Sequence, residues 1–127
     1  EHWRTEITTG MGRAVPATEI PWMRCREVWV HAVDLDAGTE FADFPPEFVD
    51  ALLTDVTTMR RRGKQEPALA LRPADRQRTW TVEYDGQAAA EVTGPAAAMA
   101  AWLMGRNHSG LHRTEPGAAV PELGRWI

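Results

Sequence analysis

Cysteine is almost missing from this chain: Cys25 stands alone among 127 residues. A single thiol excludes an internal disulfide framework and fits a reducing, cytoplasmic setting. Long apolar runs are missing too. No stretch approaches the roughly 20 consecutive apolar residues that a membrane-spanning helix needs, and the opening residues hold no signal-peptide pattern. Positive charge is not in excess. The formal net charge is −4, a poor electrostatic footing for nucleic acid. Internal repeats are lacking, and so is any low-complexity linker beyond one alanine-rich stretch. The first residue is Glu1 and not Met, so the chain as given does not open at a start codon. What remains is ordinary globular composition, 43% hydrophobic and 25% charged, enough for one domain or parts of two. Tryptophan is plentiful, with six in all, and Trp3, Trp22 and Trp29 fall in the first quarter.

Local patterns divide the chain into elements. Trp3 to Thr8 is β-prone, Thr9-Gly10-Met11-Gly12 supplies turn residues, and Arg13-Ala14-Val15 returns, which predicts a short hairpin. Thr18, Glu19 and Pro21 read as a helix start, and the helix runs from about Ile20 to Leu35, with Gly38 as its left-handed cap. Trp22, Met23, Val28, Trp29, Val30, Val33 and Leu35 make that helix apolar on nearly every side. Such a helix has to be covered by other elements, and the upstream residues are too few, so further helices are expected before it. Asp43-Phe44-Pro45-Pro46 marks a boundary. After it, apolar positions 48, 49, 52, 53 and 56 recur at helical spacing, acids come early, Arg60-Arg61-Arg62 come late as a solvated helix end, and Gly63 stops the helix. Ala68 to Leu71 reads as a strand. Thr79 to Tyr84 alternates, Asp85-Gly86 offers a hairpin turn, and Ala88, Ala90 and Val92 carry the alternation back. A last helix spans Ala96 to Met104 and ends at Gly105. The order of helix, strands and helix predicts an α+β unit.

Glu27 and His31 are the residues most able to carry chemistry. They lie four apart inside the apolar run from Trp22 to Leu35, where neither is comfortable unpaired. On a helix their Cβ atoms stand roughly 5–6 Å apart on one face, close enough to share a metal ion. On a strand they would stand about 13 Å apart at about 3.3 Å per residue, too far to share one. A catalytic zinc usually takes three protein ligands, and no spacing ties His2, His108 or His112 to the pair. The competing reading is a buried His31 hydrogen-bonded to Glu27 or Asp34. Cys25 reads as a buried structural thiol, and Trp29 and Trp80 as core.

The strings Gly12-Arg13-Ala14-Val15-Pro16-Ala17-Thr18-Glu19, Trp22-Met23-Arg24 and Arg26 through Leu35 closely resemble the signature of the mycothiol-dependent maleylpyruvate isomerase family. Val92-Thr93-Gly94-Pro95 and Trp102-Leu103-Met104-Gly105-Arg106 resemble its C-terminal domain. The resemblance covers essentially the whole chain. It implies that residues 1–38 are the last hairpin and fourth helix of a DinB-like four-helix bundle, and that residues 44–127 are a sterol-carrier-like α/β domain. It implies a divalent metal, typically zinc, held by a Glu and a His of the last bundle helix and a His of an earlier one. Glu27 and His31 occupy the first two positions, and the earlier helix with its histidine is absent from this sequence.

The activity implied is cis–trans isomerisation of maleylpyruvate to fumarylpyruvate. Mycothiol is the thiol cofactor, adding to the double bond and leaving after rotation. Metal binding raises the reactive thiolate fraction. The substrate is a small dicarboxylate, and Arg106 matches a family arginine implicated in activity, its guanidinium suited to a carboxylate. Arg13, Arg24 and Arg26 are weaker candidates, and Asp34 can orient the His31 ring. Two other readings stand beside this one: a non-catalytic small-ligand binding module, and a mycothiol S-transferase relative. The implied partners are substrate and mycothiol, with no nucleic acid and no membrane. Exposed apolar bundle surface would favour self-association.

Overall fold

The computed structural model describes residues 4–10, 12–36, 38–63 and 67–124. Helices and two sheets make a mixed α+β chain. It divides into two compact units, Glu1–Thr39 and Glu40–Ile127.

The first unit opens with a hairpin. Strand β1 (Glu6–Thr8) pairs antiparallel with β2 (Ala14–Pro16), Ile7 opposite Val15. The turn closes through Thr9, whose amide donates to the Arg13 carbonyl at 2.8 Å, while Gly12 adopts φ 78°. Trp3 and Met11 lie outside the described residues. A 3-10 turn at Ala17–Glu19 leads into α1 (Ile20–Asp34), with Pro21 in the first helical turn, where its missing N–H costs no intrahelical bond. The helix ends one step earlier than its glycine suggests. Leu35 is the C-cap, the residue directly after it, Asp36, is left-handed at φ 51°, and Gly38 is left-handed as expected, at φ 85°, two residues further on. A short acidic side chain tolerates that conformation. The apolar surface of this helix, expected to need cover from further helices, is largely open. Val30 is the buried residue of α1, whereas Ile20, Val28, Trp29 and Leu35 are exposed, Leu35 to 77%. Cys25, expected inside, is exposed as well.

The second unit starts at a 3-10 turn, Phe41–Asp43, closed by a capping box between Glu40 and Asp43. Phe41 and Phe44 are buried, their ring centroids 5.0 Å apart, and Phe44 meets Phe48 edge-on. Helix α2 (Pro46–Gly63) buries Val49, Leu52, Leu53, Val56, Thr57 and Arg60. Its apolar face follows the sequence spacing, and its end departs from it. Arg61 and Arg62 are exposed, but Arg60 is only 5% exposed, because positions 49, 53, 56 and 60 share one helix face.

Four strands form the sheet in the order β4-β3-β5-β6, with β3 Leu69–Pro73, β4 Trp80–Val82, β5 Ala90–Gly94 and β6 His112–Arg113. Strand β3 is central, antiparallel to β4 and parallel to β5, and β6 pairs antiparallel with β5. The predicted β4–β5 hairpin is therefore wrong. The Asp85-Gly86 turn exists, with the Gln87 amide donating to the Tyr84 carbonyl and Gly86 at φ 77°. After it the chain crosses to the far edge of β3. Helix α3 (Ala96–Leu103) is buried along most of its length, and Leu69, Leu71, Trp80, Val82 and Val92 fill the core beside it and α2. At the end of β5, Gly94 (φ 141°) touches the loop before β6: a Cβ there would stand 2.5 Å from the Gly110 carbonyl oxygen. No helix among the described residues is long and apolar enough to cross a membrane.

Candidate functional site

Helix α1 turns the spacing of Glu27 and His31 into proximity. One turn apart, they share a face, and both side chains reach solvent, at 55% and 71% exposure. Of the alternative reading, a buried His31 bonded to Glu27 or Asp34, the Asp34 contact is present and the burial is not. Each residue has an ionic neighbour on its own helix. The Glu27 carboxylate lies 3.4 Å from Arg24 Nη1, and His31 Nδ1 lies 3.4 Å from Asp34 Oδ2. The second contact sets Asp34 at Nδ1 and leaves Nε2 on the other side of the ring, an arrangement that orients metal-binding histidines.

As a donor set, one carboxylate oxygen and one imidazole nitrogen suit a divalent ion. They supply two positions of such a site. Among the described residues no group of three or more His, Cys, Asp and Glu side chains converges on one point. His108 and His112 belong to the second unit, and His2 lies outside the described residues. Of the other cations near this helix in sequence, Arg13 pairs with Glu19 at 3.1 Å.

Arg106 stands in the second unit, at the exit of α3. The Gly105 amide donates to the Trp102 carbonyl at 3.0 Å and the Arg106 amide to the Ala101 carbonyl at 2.8 Å, with Gly105 at φ 72°. This is a Schellman ending, which needs a left-handed residue, supplied here by glycine. The half-buried Arg106 side chain folds back so that Nη1 donates to the Met104 carbonyl at 2.6 Å. His108 Nδ1 lies 3.3 Å from the Arg106 carbonyl, and its ring lies 6.5 Å from that of Trp102. The structure thus brings Glu27 and His31 together on one helix and places Arg106 on a separate unit.

Sequence reasoning missed two features beside these residues. One is Arg60, whose guanidinium sits beneath the end of α3. Its signal was its register on the apolar face of α2. The other is the loop Asp75-Arg76, where Asp75 Oδ1 accepts the Ala96 amide at 2.9 Å and Arg76 Nε donates to Asp50 at 2.7 Å. A local pattern could not find that one, because its partners lie 21 and 26 residues away. An open cleft of about 520 Å³ lies elsewhere on the second unit, lined by Arg61, Glu83, Tyr84 and Asp85 among others, and none of the predicted site residues lines it.

Comparison with known proteins adds the family. The model of the MDMPI C-terminal domain matches residues 43–125. Two solved structures, the mycothiol-dependent maleylpyruvate isomerase and a histidine-to-alanine mutant of it, are each 34% identical to this chain, with a TM-score of 0.86. Each match covers 98% of this chain and 50% of the other, so the chain spans about half the length of these relatives. No curated protein matches the sequence. A family model that takes in most of the chain, and a fold shared along nearly all of it at this identity, establish that the chain belongs to the mycothiol-dependent maleylpyruvate isomerase family.

Proposed function

We propose that this chain is the C-terminal part of a metal- and mycothiol-dependent cis–trans isomerase acting on maleylpyruvate. The observation that carries the reading is the exposed Glu27–His31 pair on one face of α1, with Asp34 at His31 Nδ1, in a chain similar to the solved isomerase. In this reading the first unit is the last hairpin and fourth helix of a DinB-like bundle. The exposed Ile20, Val28, Trp29 and Leu35 are side chains of the kind a bundle helix buries against its neighbours. The second unit is the sterol-carrier-like domain.

Glu27 Oε and His31 Nε2 would hold a divalent ion, zinc by its taste for nitrogen and carboxylate donors, with a third donor from another helix. Bound there, the ion supplies the Lewis acidity that favours the thiolate of mycothiol. Asp34 accepts the Nδ1 proton of His31 and keeps the imidazole in the tautomer whose Nε2 is a lone-pair donor. Arg106 binds a carboxylate of the dianionic substrate. Its guanidinium exchanges the Met104 carbonyl for a charged acceptor, and charge-assisted bonds are roughly twice as strong as neutral ones. The assignment to the cytoplasm follows from the same chemistry, which needs a reduced thiol.

The test is metal content and isomerase turnover, on this chain and on a polypeptide extended upstream to the relatives' length. Stoichiometric zinc is expected in the longer form and its loss is expected in His31→Ala and Glu27→Ala. Arg106→Ala should abolish turnover of maleylpyruvate with mycothiol while leaving metal content unchanged. Absence of metal from both forms would remove the enzyme reading and leave a small-ligand binding module. Turnover of another electrophile in place of maleylpyruvate would favour the S-transferase relative.

A further inference from the structure

Arg60 is a buried cation that the proposed chemistry does not use. Thr57 and Arg60 are the buried polar residues among those described, and Thr57 is satisfied within its own helix, through the Leu53 carbonyl. Arg60 reaches outward to two distant segments. Its Nε donates to the Leu103 carbonyl at 2.9 Å, Nη2 donates to the same oxygen, and Nη2 also donates to the Gly124 carbonyl at 3.0 Å. Its own carbonyl accepts the Tyr84 hydroxyl at 3.0 Å. Burying a guanidinium is costly, and this one is placed on the last residue of α3.

The end of α3 shows what that placement does. A helix leaves its last four carbonyls without intrahelical partners. Here the Schellman bonds from Gly105 and Arg106 take the carbonyls of Trp102 and Ala101. Arg106 Nη1 takes that of Met104. The carbonyl of Leu103, a residue with no exposure to water, falls to Arg60. Each arginine therefore holds one of two adjacent carbonyls at the turn from which the Arg106 side chain leaves. Removing the Arg60 fork would strand a buried acceptor inside that turn, and the turn would have to open to find water.

We propose that Arg60 is the positioning residue for Arg106: by anchoring the Leu103 carbonyl it fixes the Schellman turn that aims the Arg106 guanidinium at a substrate carboxylate. The inference rests on the reading that Arg106 binds substrate. Arg60 touches no reacting group and acts through the backbone of residues 103–106. Lysine cannot replace it, since one ammonium cannot reproduce the fork that spans two carbonyls. Misplacement of a substrate-holding group by about 1 Å is enough to cost roughly 100-fold in rate.

The experiment is a double-mutant cycle on kcat/KM, in the polypeptide of the relatives' length, assayed with maleylpyruvate and mycothiol. Arg60→Lys is combined with Arg106→Lys, which keeps a cation and a measurable rate. In the parent, Arg60→Lys should lower kcat/KM roughly 10-fold or more, mainly through KM. In the Arg106→Lys background the same change should cost no more than about twofold, because the fork it positions is gone. Equal losses in both backgrounds, or parental kcat/KM in Arg60→Lys, would overturn the proposal. Parental turnover in Arg106→Ala would instead sink the role of Arg106, and the Arg60 proposal with it. Should Arg60→Lys fail to fold, amide hydrogen exchange on the unmutated 127-residue chain decides. The Arg106 amide should be as protected as those of the α3 core, and exchange at the rate of an open loop would refute the anchored turn.

Discussion

Gly94 shows how one residue can carry a junction. Its φ of 141° is a backbone state that side chains rarely adopt, and an added Cβ would collide with the Gly110 carbonyl oxygen at 2.5 Å and with Leu111 Cδ2 at 2.8 Å. The Leu111 methyl is the tip of a side chain and can turn aside, but the Gly110 carbonyl is backbone and cannot move without shifting the loop. Gly94→Ala should therefore destabilise the second unit by about 2 kcal/mol or more, read as a drop in the urea midpoint with an unchanged slope. Gly86, at φ 77° with open space around it, is strained by its angle alone. Its alanine variant should lose less than that of Gly94 in the same titration, and an equal or larger loss would contradict the packing argument.

At the scale of elements, α3 depends on polar partners at both ends. Its N-terminal amide at Ala96 is held by Asp75 Oδ1 at 2.9 Å, a bond from a loop 21 residues earlier. Arg76 sits between acids, with Asp50 at 2.7 Å and Asp75 at 3.3 Å. The hydrogen bond to Asp50, ahead of the charges of Asp50 and Asp75, holds the Arg76 pKa above its usual value. Asp75→Ala is expected to cost about 1 kcal/mol through the lost helix-start bond, with Asp75→Asn recovering part of it. Thermal unfolding of the two variants checks the order. The same element explains where sequence reading stops. The helix itself, Pro95, the alanines and the Gly105 stop were legible as local pattern. Asp75 and Arg60 were not, because their partners are brought to α3 only by the fold.

The whole molecule is two unequal units. The second, Glu40–Ile127, holds most of the core, including the fully buried Leu52, Leu53, Leu69, Leu71 and Leu103. The first, Glu1–Thr39, buries Val15, Ala17 and Val30 among its described residues. Chains shorter than about 40 residues seldom fold without a metal, disulfide or partner. A polypeptide of residues 40–127 should melt cooperatively on its own, whereas residues 1–39 alone should show a circular dichroism signal without a thermal transition. Cooperative melting of the short piece would show that its few buried contacts suffice.

What the sequence determined by itself is local. The hairpin at Thr9 to Gly12, the helix from Ile20, the apolar face of α2 and the stop at Gly105 all follow from turn residues, caps and a period of about 3.6 residues. The proximity of Glu27 and His31 belongs with them, because helix geometry alone sets it. Tertiary structure decided the rest. Alternation told that Trp80 to Val82 and Ala90 to Gly94 are strands, but not that both lie beside β3, since a strand's hydrogen-bond partner is chosen by the sheet and not by the nearest turn. The spacing of apolar residues told which face of α2 is buried, but only the end of α3 arriving above it turned Arg60 from a solvated charge into an anchor.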